Sequence, residues 1–187
     1  EYGLMPDLDR WVVRNVLAWA RANPARLAGT YSINLSAATF AADGFVEYVA
    51  AEARREGGPG PTLCFEILTE DALADRDGAA RLVAALAEVG CRTMLCGFGQ
   101  VATDYGLLKS MPVDYIKIDT GIVLGLNRNA VDLIKLKAIC RVARTTNRRT
   151  VAEFVEDDET LAKLRAHGVD FAQGYGIARP RPIDDRV

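Results

Sequence analysis

Apolar and polar positions along the chain follow two periods that take turns. From Asp7 to Ala22, Leu8, Trp11, Val12, Asn15, Val16 and Trp19 recur at i, i+3 and i+4, the spacing of one helical face, with Asp7 as the N-cap after Pro6. Thr30-Tyr-Ser-Ile-Asn-Leu-Ser36 is β-rich and places a strand at about 31–36. Helical spacing returns over Phe45–Glu56 and is stopped by Gly57-Gly58-Pro59-Gly60-Pro61, the clearest breaker in the chain. Further strands are expected at 62–68, 92–98, 115–119, 149–155 and 171–177. Between them lie helices at Ala79–Val89, closed by Gly90 as a left-handed residue, at roughly Val131–Thr145 and at Asp158–Ala166.

Strands separated by helices require right-handed crossovers and therefore a parallel sheet. Two architectures satisfy that: an open doubly wound sheet, or a (β/α)8 barrel whose first strands are absent from this chain. A barrel typically takes about 250 residues, so six β/α units in 187 residues fit one lacking an N-terminal piece. No G-x-G-x-x-G or G-x-x-x-x-G-K-[ST] follows any strand, which counts against a dinucleotide-binding or P-loop sheet.

Composition narrows the classes. Half of the chain is hydrophobic and 26% charged, an ordinary globular mixture that reads as one domain over residues 1–187. With 23 Lys and Arg against 25 Asp and Glu, the net charge of −2 offers no basic surface for DNA or an acidic membrane. No apolar run approaches the ~18 residues that span a bilayer, and no secretory leader opens the chain, so a cytoplasmic domain is expected, with any membrane anchor in a parent protein. Cys64, Cys91, Cys96 and Cys140 form no C-x-x-C pair and read as reduced, largely buried thiols.

Candidate chemistry sits at the strand ends, which in turn present Asn34, Glu66, Cys96-Gly97, Lys117 with Asp119, Glu153 with Glu156, and Gln173. Strands buried on both faces seldom carry charge, and in parallel α/β folds these ends share one rim. Carboxylates and an asparagine together are hard oxygen donors suited to Mg²⁺ or Mn²⁺, whereas without metal they need a cation such as Lys117 between them. Each residue also has a possible structural use: a turn cap for Asn34, an ion pair for Lys117, a backbone hydrogen bond for Gln173. Glu70, Asp71, Glu156 and Asp157 likewise fit helix N-termini, and His167 a helix C-terminus.

Six segments then resemble one bacterial signalling family. They are Ser32-Ile-Asn34-Leu-Ser36, Phe65-Glu66-Ile-Leu-Thr-Glu70, Gly97-Phe98-Gly99, Leu108-Lys109-Ser-Met-Pro112-Val-Asp114-Tyr-Ile-Lys117-Ile-Asp119, Ala152-Glu153-Phe-Val-Glu156, and Gly168-Val-Asp170-Phe-Ala-Gln173-Gly174-Tyr175 closed by Pro180. In order and register they resemble EAL domains, phosphodiesterases that open cyclic di-GMP to linear pGpG in a TIM-like (β/α)8 barrel. The resemblance implies metal-ligand positions at Asn34, Glu66 and Glu153, and catalytic positions at Lys117 and Glu153, vestigial if the domain is inactive. It implies a ligand site made of Asn34, Glu66, Lys117, Glu153, Glu156, Gln173 and Tyr175. Tyr175 and Phe154 are candidate guanine platforms, with core packing expected for at least one, and Arg179 and Arg181 candidate anion contacts.

The departures from the family pattern are chemical. The Glu-Ala-Leu motif and the arginine after it do not occur in this sequence. An Asp-Asp pair that helps hold two metals is replaced by Cys96 and Gly97, the loop after it reads Gln100-Val101-Ala102-Thr103-Asp104, one residue is inserted between Glu66 and Glu70, and Phe154 stands for a glycine. A thiol is a poor ligand for Mg²⁺ or Mn²⁺, and two lost carboxylates leave cation–cation repulsion uncompensated. The expectation is a degenerate EAL domain that holds no metal and acts as a cyclic di-GMP receptor. The alternatives are a protein-interaction scaffold that binds no nucleotide and an active, Mg²⁺- or Mn²⁺-dependent phosphodiesterase. Expected partners are cyclic di-GMP and either a second copy or a neighbouring sensor or GGDEF-type domain.

Overall fold

The computed structural model describes residues 3–23, 25, 28–55, 62–100 and 104–182. Six strands, β1 (Thr30–Asn34), β2 (Thr62–Leu68), β3 (Arg92–Phe98), β4 (Tyr115–Ile118), β5 (Arg149–Ala152) and β6 (Phe171–Ala172), lie side by side in sequential order, every neighbouring pair parallel. Helices fill the crossovers: α1 (Met5–Ala22), α2 (Phe45–Arg54), α3 (Thr69–Ala74), α4 (Arg76–Glu88), α5 (Asp104–Ser110), α6 (Thr120–Gly125), α7 (Ala130–Thr145) and α8 (Asp158–Ala166). This is the arc of a TIM-like (β/α)8 barrel; the doubly wound alternative is excluded, because such a sheet reverses its strand order at a switch point.

The sheet has two faces of different character. Toward the helices point Leu63, Phe65, Ile67, Leu95, Ile116 and Ile118, packed with Val13, Leu17, Leu86, Leu107 and Ile139 in the main core. Toward the interior, Cys64, Met94, Cys96, Tyr115 and Val151 form a separate small cluster. Period-2 alternation puts Glu66, Lys117 and Glu153 on this inner face, nearer the C-terminal ends of the strands. The interior is therefore apolar in its lower part and ionic at its rim.

Several boundaries depart from the periodic reading. Helix α1 begins at Met5, so Asp7 is not its cap; it lies in the first turn and pairs with Arg10 at 3.3 Å. Its buried face is Asp9, Val13, Leu17 and Ala20, whereas Leu8 and Trp11 are exposed. The Asp9 carboxylate fixes that rotation. It accepts hydrogen bonds from Ser36 N (3.1 Å), Ser36 Oγ (2.8 Å) and Thr39 Oγ1 (2.6 Å), tying α1 to the chain just after β1. Strand β1 accordingly ends at Asn34. Helix α4 starts earlier than expected because the Asp75 side chain caps Gly78 N at 2.9 Å. Gly90 closes this helix as expected: its φ is +82° and Cys91 N reaches back to Leu86 O. Helices α3, α5 and α6 are too short to show a period. The expected end of the second helix at Glu56, and the breaker after it, lie outside the described residues.

Strands β5 and β6 end well before 155 and 177. Phe154 adopts φ +57° and turns the chain out of the sheet. Past β6, Gly174 and Gly176 let the chain lie against this turn: a Cβ on Gly174 would come within 2.4 Å of Val155 N, and one on Gly176 within 2.8 Å of Glu156 C. Gly176 N donates to Val155 O at 2.9 Å. Two rim loops are thus locked together.

Replacing Asp9 with alanine should cost about 2 kcal/mol by leaving two hydroxyls and one amide short of an acceptor. Urea denaturation followed by circular dichroism checks this; an unchanged midpoint would remove Asp9 from the account of how α1 is set.

Candidate functional site

An ion-paired cluster closes the interior at the rim. Lys117, 4% exposed, places Nζ 2.5 Å from Glu66 Oε2 and 3.7 Å from Glu153 Oε2. Glu153 is oriented by Thr120, whose hydroxyl donates to Oε1 at 2.7 Å. The Cys96 thiol donates to Glu66 Oε2 at 3.4 Å. Burial alone would lower the Lys117 pKa, but the hydrogen bond to Glu66 and the charges of Glu66 and Glu153 outweigh it, so the ammonium is held charged above its ordinary range. The Cys96 pKa is raised as well: burial, then the adjacent Glu66 charge, push it up, so the thiol stays protonated. Deeper in the interior, burial pushes Cys64 up to about 12.

A second region opens beside this cluster. A cleft of about 490 Å³ is lined by Glu153, Phe154, Glu156, Gln173, Gly174, Tyr175, Ala178, Arg179 and Pro180. Phe154 and Tyr175 are 52% and 62% exposed, so neither has the core-packing role expected for one of them. The Arg179 guanidinium lies 5.7 Å from the centroid of the Tyr175 ring. A smaller cleft, about 420 Å³, lies at the ends of β2 and β3 and is lined by Leu68, Thr69, Glu70, Leu73, Cys96, Gly97, Gln100 and Asp119.

The structure brings most of the sequence-selected residues together. Glu66, Lys117 and Glu153 form the ionic cluster, while Glu156, Gln173 and Tyr175 line the large cleft with Phe154 and Arg179. Asn34 is exposed and sits opposite Glu66 in the β1–β2 register. Asp119 is past the end of β4: it caps Gly121 N at 2.9 Å and accepts from Gln100 Nε2 at 2.7 Å. Asp157 is the N-cap of α8, His167 is its C-cap, and Glu70 and Asp71 fall in the first turn of α3. Thr120 and Thr69, whose hydroxyl donates to Cys96 O at 2.6 Å, escaped sequence reasoning. The one available signal was Asp119-Thr120-Gly121, a helix start directly after a charged strand end.

Among the described residues, the donors present are a poor match for a pair of hard divalent cations. One oxygen of Glu66 already serves an ammonium and a thiol, Cys96 is a protonated soft ligand, and Gly97 has no side chain. Among the described residues, no three Asp, Glu, Cys or His groups converge in a way that would hold a metal ion.

Comparison with known proteins fixes the class. The EAL domain family matches residues 1–180, and the chain belongs to it. Over 183 residues it is 37% identical to the cyclic di-GMP phosphodiesterase PdeB of Shewanella oneidensis, and over 188 residues 30% identical to the cyclic di-GMP phosphodiesterase PdeF of Escherichia coli. These matches cover 97% and 100% of this chain but only 21% and 25% of those proteins. Among solved structures, the EAL domain of Pseudomonas aeruginosa FimX bound to c-di-GMP superposes with a TM-score of 0.87 at 26% identity, covering 95% of this chain and 72% of that one. The EAL domain of Mycobacterium smegmatis DcpA gives 0.83 at 33% identity, covering 92% and 79%. No helix among the described residues is long and apolar enough to cross a membrane.

Two measurements test the ionic cluster. Glu66→Ala leaves a buried ammonium with one distant partner and should destabilise by about 3–5 kcal/mol in urea melts. Alkaline pH should also destabilise: the raised thiols keep their protons in the folded state and lose them in the unfolded one. Stability is then full below about pH 9 and falls above it by up to about 1.4 kcal/mol per pH unit per thiol. A flat stability profile from pH 8 to about 10.5 would contradict the burial of Cys64 and Cys96.

Proposed function

We propose that this EAL domain is a cyclic di-GMP receptor that binds the dinucleotide without divalent metal and hydrolyses it no faster than background. The observation that carries the reading is a pairing made from within: Lys117 contacts both glutamates that a metal would need and offsets one of their two charges, beside a protonated thiol. The adjacent cleft supports ligand binding, since two exposed aromatic rings offer flat faces for guanine and Gln173 supplies an amide. The ligand is supported by relatives: FimX is a family member whose EAL domain has been crystallised with c-di-GMP. In this reading residues 1–187 act as one domain in the cytoplasm and pass ligand occupancy to a second copy or to a neighbouring sensor or GGDEF-type domain.

The second reading is an active phosphodiesterase, favoured by the names of PdeB and PdeF. Calorimetric titration of the full-length protein with cyclic di-GMP in EDTA separates the two. Saturable binding at micromolar ligand is expected, unchanged by Mg²⁺ or Mn²⁺, and Tyr175→Ala should weaken it roughly ten-fold by removing one stacking face. Absence of saturable binding would sink the receptor reading and leave a scaffold. Linear pGpG formed with Mn²⁺, and lost in Glu153→Ala, would establish the phosphodiesterase.

A further inference from the structure

We infer that Arg179, laid over Tyr175, is the residue that reads the anionic phosphodiester of the bound ligand, a specificity role that rests on the receptor reading above. Charge accounting among the described residues of the site supports this. A cyclic dinucleotide brings two negative phosphodiesters to a rim that carries Glu66, Glu153 and Glu156. Lys117 does not serve them: it is buried, its ammonium lies 2.5 Å from one glutamate and 3.7 Å from another, and both contacts hold it in place. No metal-holding cluster forms among the described residues to supply positive charge instead. Arg179 lines the cleft with Glu153, Phe154, Gln173 and Tyr175, and it forms no salt bridge with any carboxylate among the described residues.

Its placement suits the task. A cation–π contact, with the guanidinium carbon 5.7 Å from the Tyr175 ring centroid, restrains the side chain before ligand arrives, so less rotamer freedom is lost on binding. The planar fork then offers two parallel N–H donors that match the two non-bridging oxygens of a phosphodiester. Because the platform, Tyr175, is 62% exposed and the cleft is open to solvent, the contact is screened by salt, unlike the buried Lys117 pair. Arg181 lies beyond the lining of the cleft and is not needed.

The test uses the intact protein in EDTA, with cyclic di-GMP affinity measured by calorimetry at about 50 mM and about 300 mM salt. Wild-type affinity should weaken several-fold across that range. Arg179→Ala should lose at least about ten-fold at low salt and respond little to further salt; Arg179→Lys should retain part of the affinity and the salt response. Both variants should melt like the wild type, the side chain being outside the core. Arg179→Ala binding within two-fold of wild type, or keeping the full salt response, overturns the assignment while leaving the receptor reading intact. Arg179→Lys failing as completely as Arg179→Ala, with salt response unchanged in both, would place Arg179 on a guanine edge and overturn it equally. No saturable binding by the wild type removes the receptor reading itself, an outcome visible before any variant is made.

Discussion

The upper end of the sheet depends on one ammonium shared between two carboxylates. Glu66 on β2 and Glu153 after β5 flank the same partly buried rim, and alone their charges would repel. Lys117 on β4 lies between them and joins three strand ends. Removing one member of such a cluster is costly because it strands a buried charge, even though replacing the whole cluster by apolar groups need not be. Both of the contacts that Glu66 makes here fall on one oxygen: Oε2 accepts from the Lys117 ammonium at 2.5 Å and from the Cys96 thiol at 3.4 Å.

This internal pairing divides the rim into two halves with different physics. The drier half, Glu66, Cys96 and Lys117 with Glu153 at its border, is held by its own ion pairs and by the Thr120 hydroxyl. The wet half, Phe154, Gln173, Tyr175 and Arg179, presents exposed rings, an amide and a guanidinium. Backbone geometry maintains the division. Phe154 occupies the left-handed region at φ +57°, which costs a non-glycine residue about 1–2 kcal/mol, and the close approach of Gly174 and Gly176 to Val155 and Glu156 leaves little room for that turn to relax. Strain of this kind, held by surrounding contacts, is typical of ligand clamps.

Much of this was legible in the sequence because parallel strands write their ends plainly. An apolar run that finishes on Glu66 or on Lys117 puts a charge where a strand covered on both faces tolerates one only at its rim. The fold followed from the alternation, and strands β2 and β3 ended where the pattern placed them. What the pattern could not carry was local and conformational. Strand lengths past Ala152 and Ala172 were set by the φ of Phe154 and the bulk missing at Gly174, neither of which changes hydrophobic periodicity. The rotation of α1 was set by Asp9 bonding to Ser36 and Thr39, a polar residue on the buried face where the spacing favoured Trp11. Thr120 and Thr69 were invisible because a threonine reads as ordinary β-filler until a carboxylate or carbonyl is found opposite its hydroxyl.

Packing and site chemistry are set at different depths in this molecule. The packing that makes the barrel arc is on the outer face of the sheet, where Phe65, Ile67, Leu95, Ile116 and Ile118 meet the helices, and these side chains point away from the rim donors. Cys96 lies off that main core and joins the apolar cluster on the inner face. Fold and site can vary independently, because they are built from different faces of the same strands. At that rim one ammonium offsets only one of the two carboxylates it contacts, and the groups that face solvent are the aromatic rings and the guanidinium after β5 and β6.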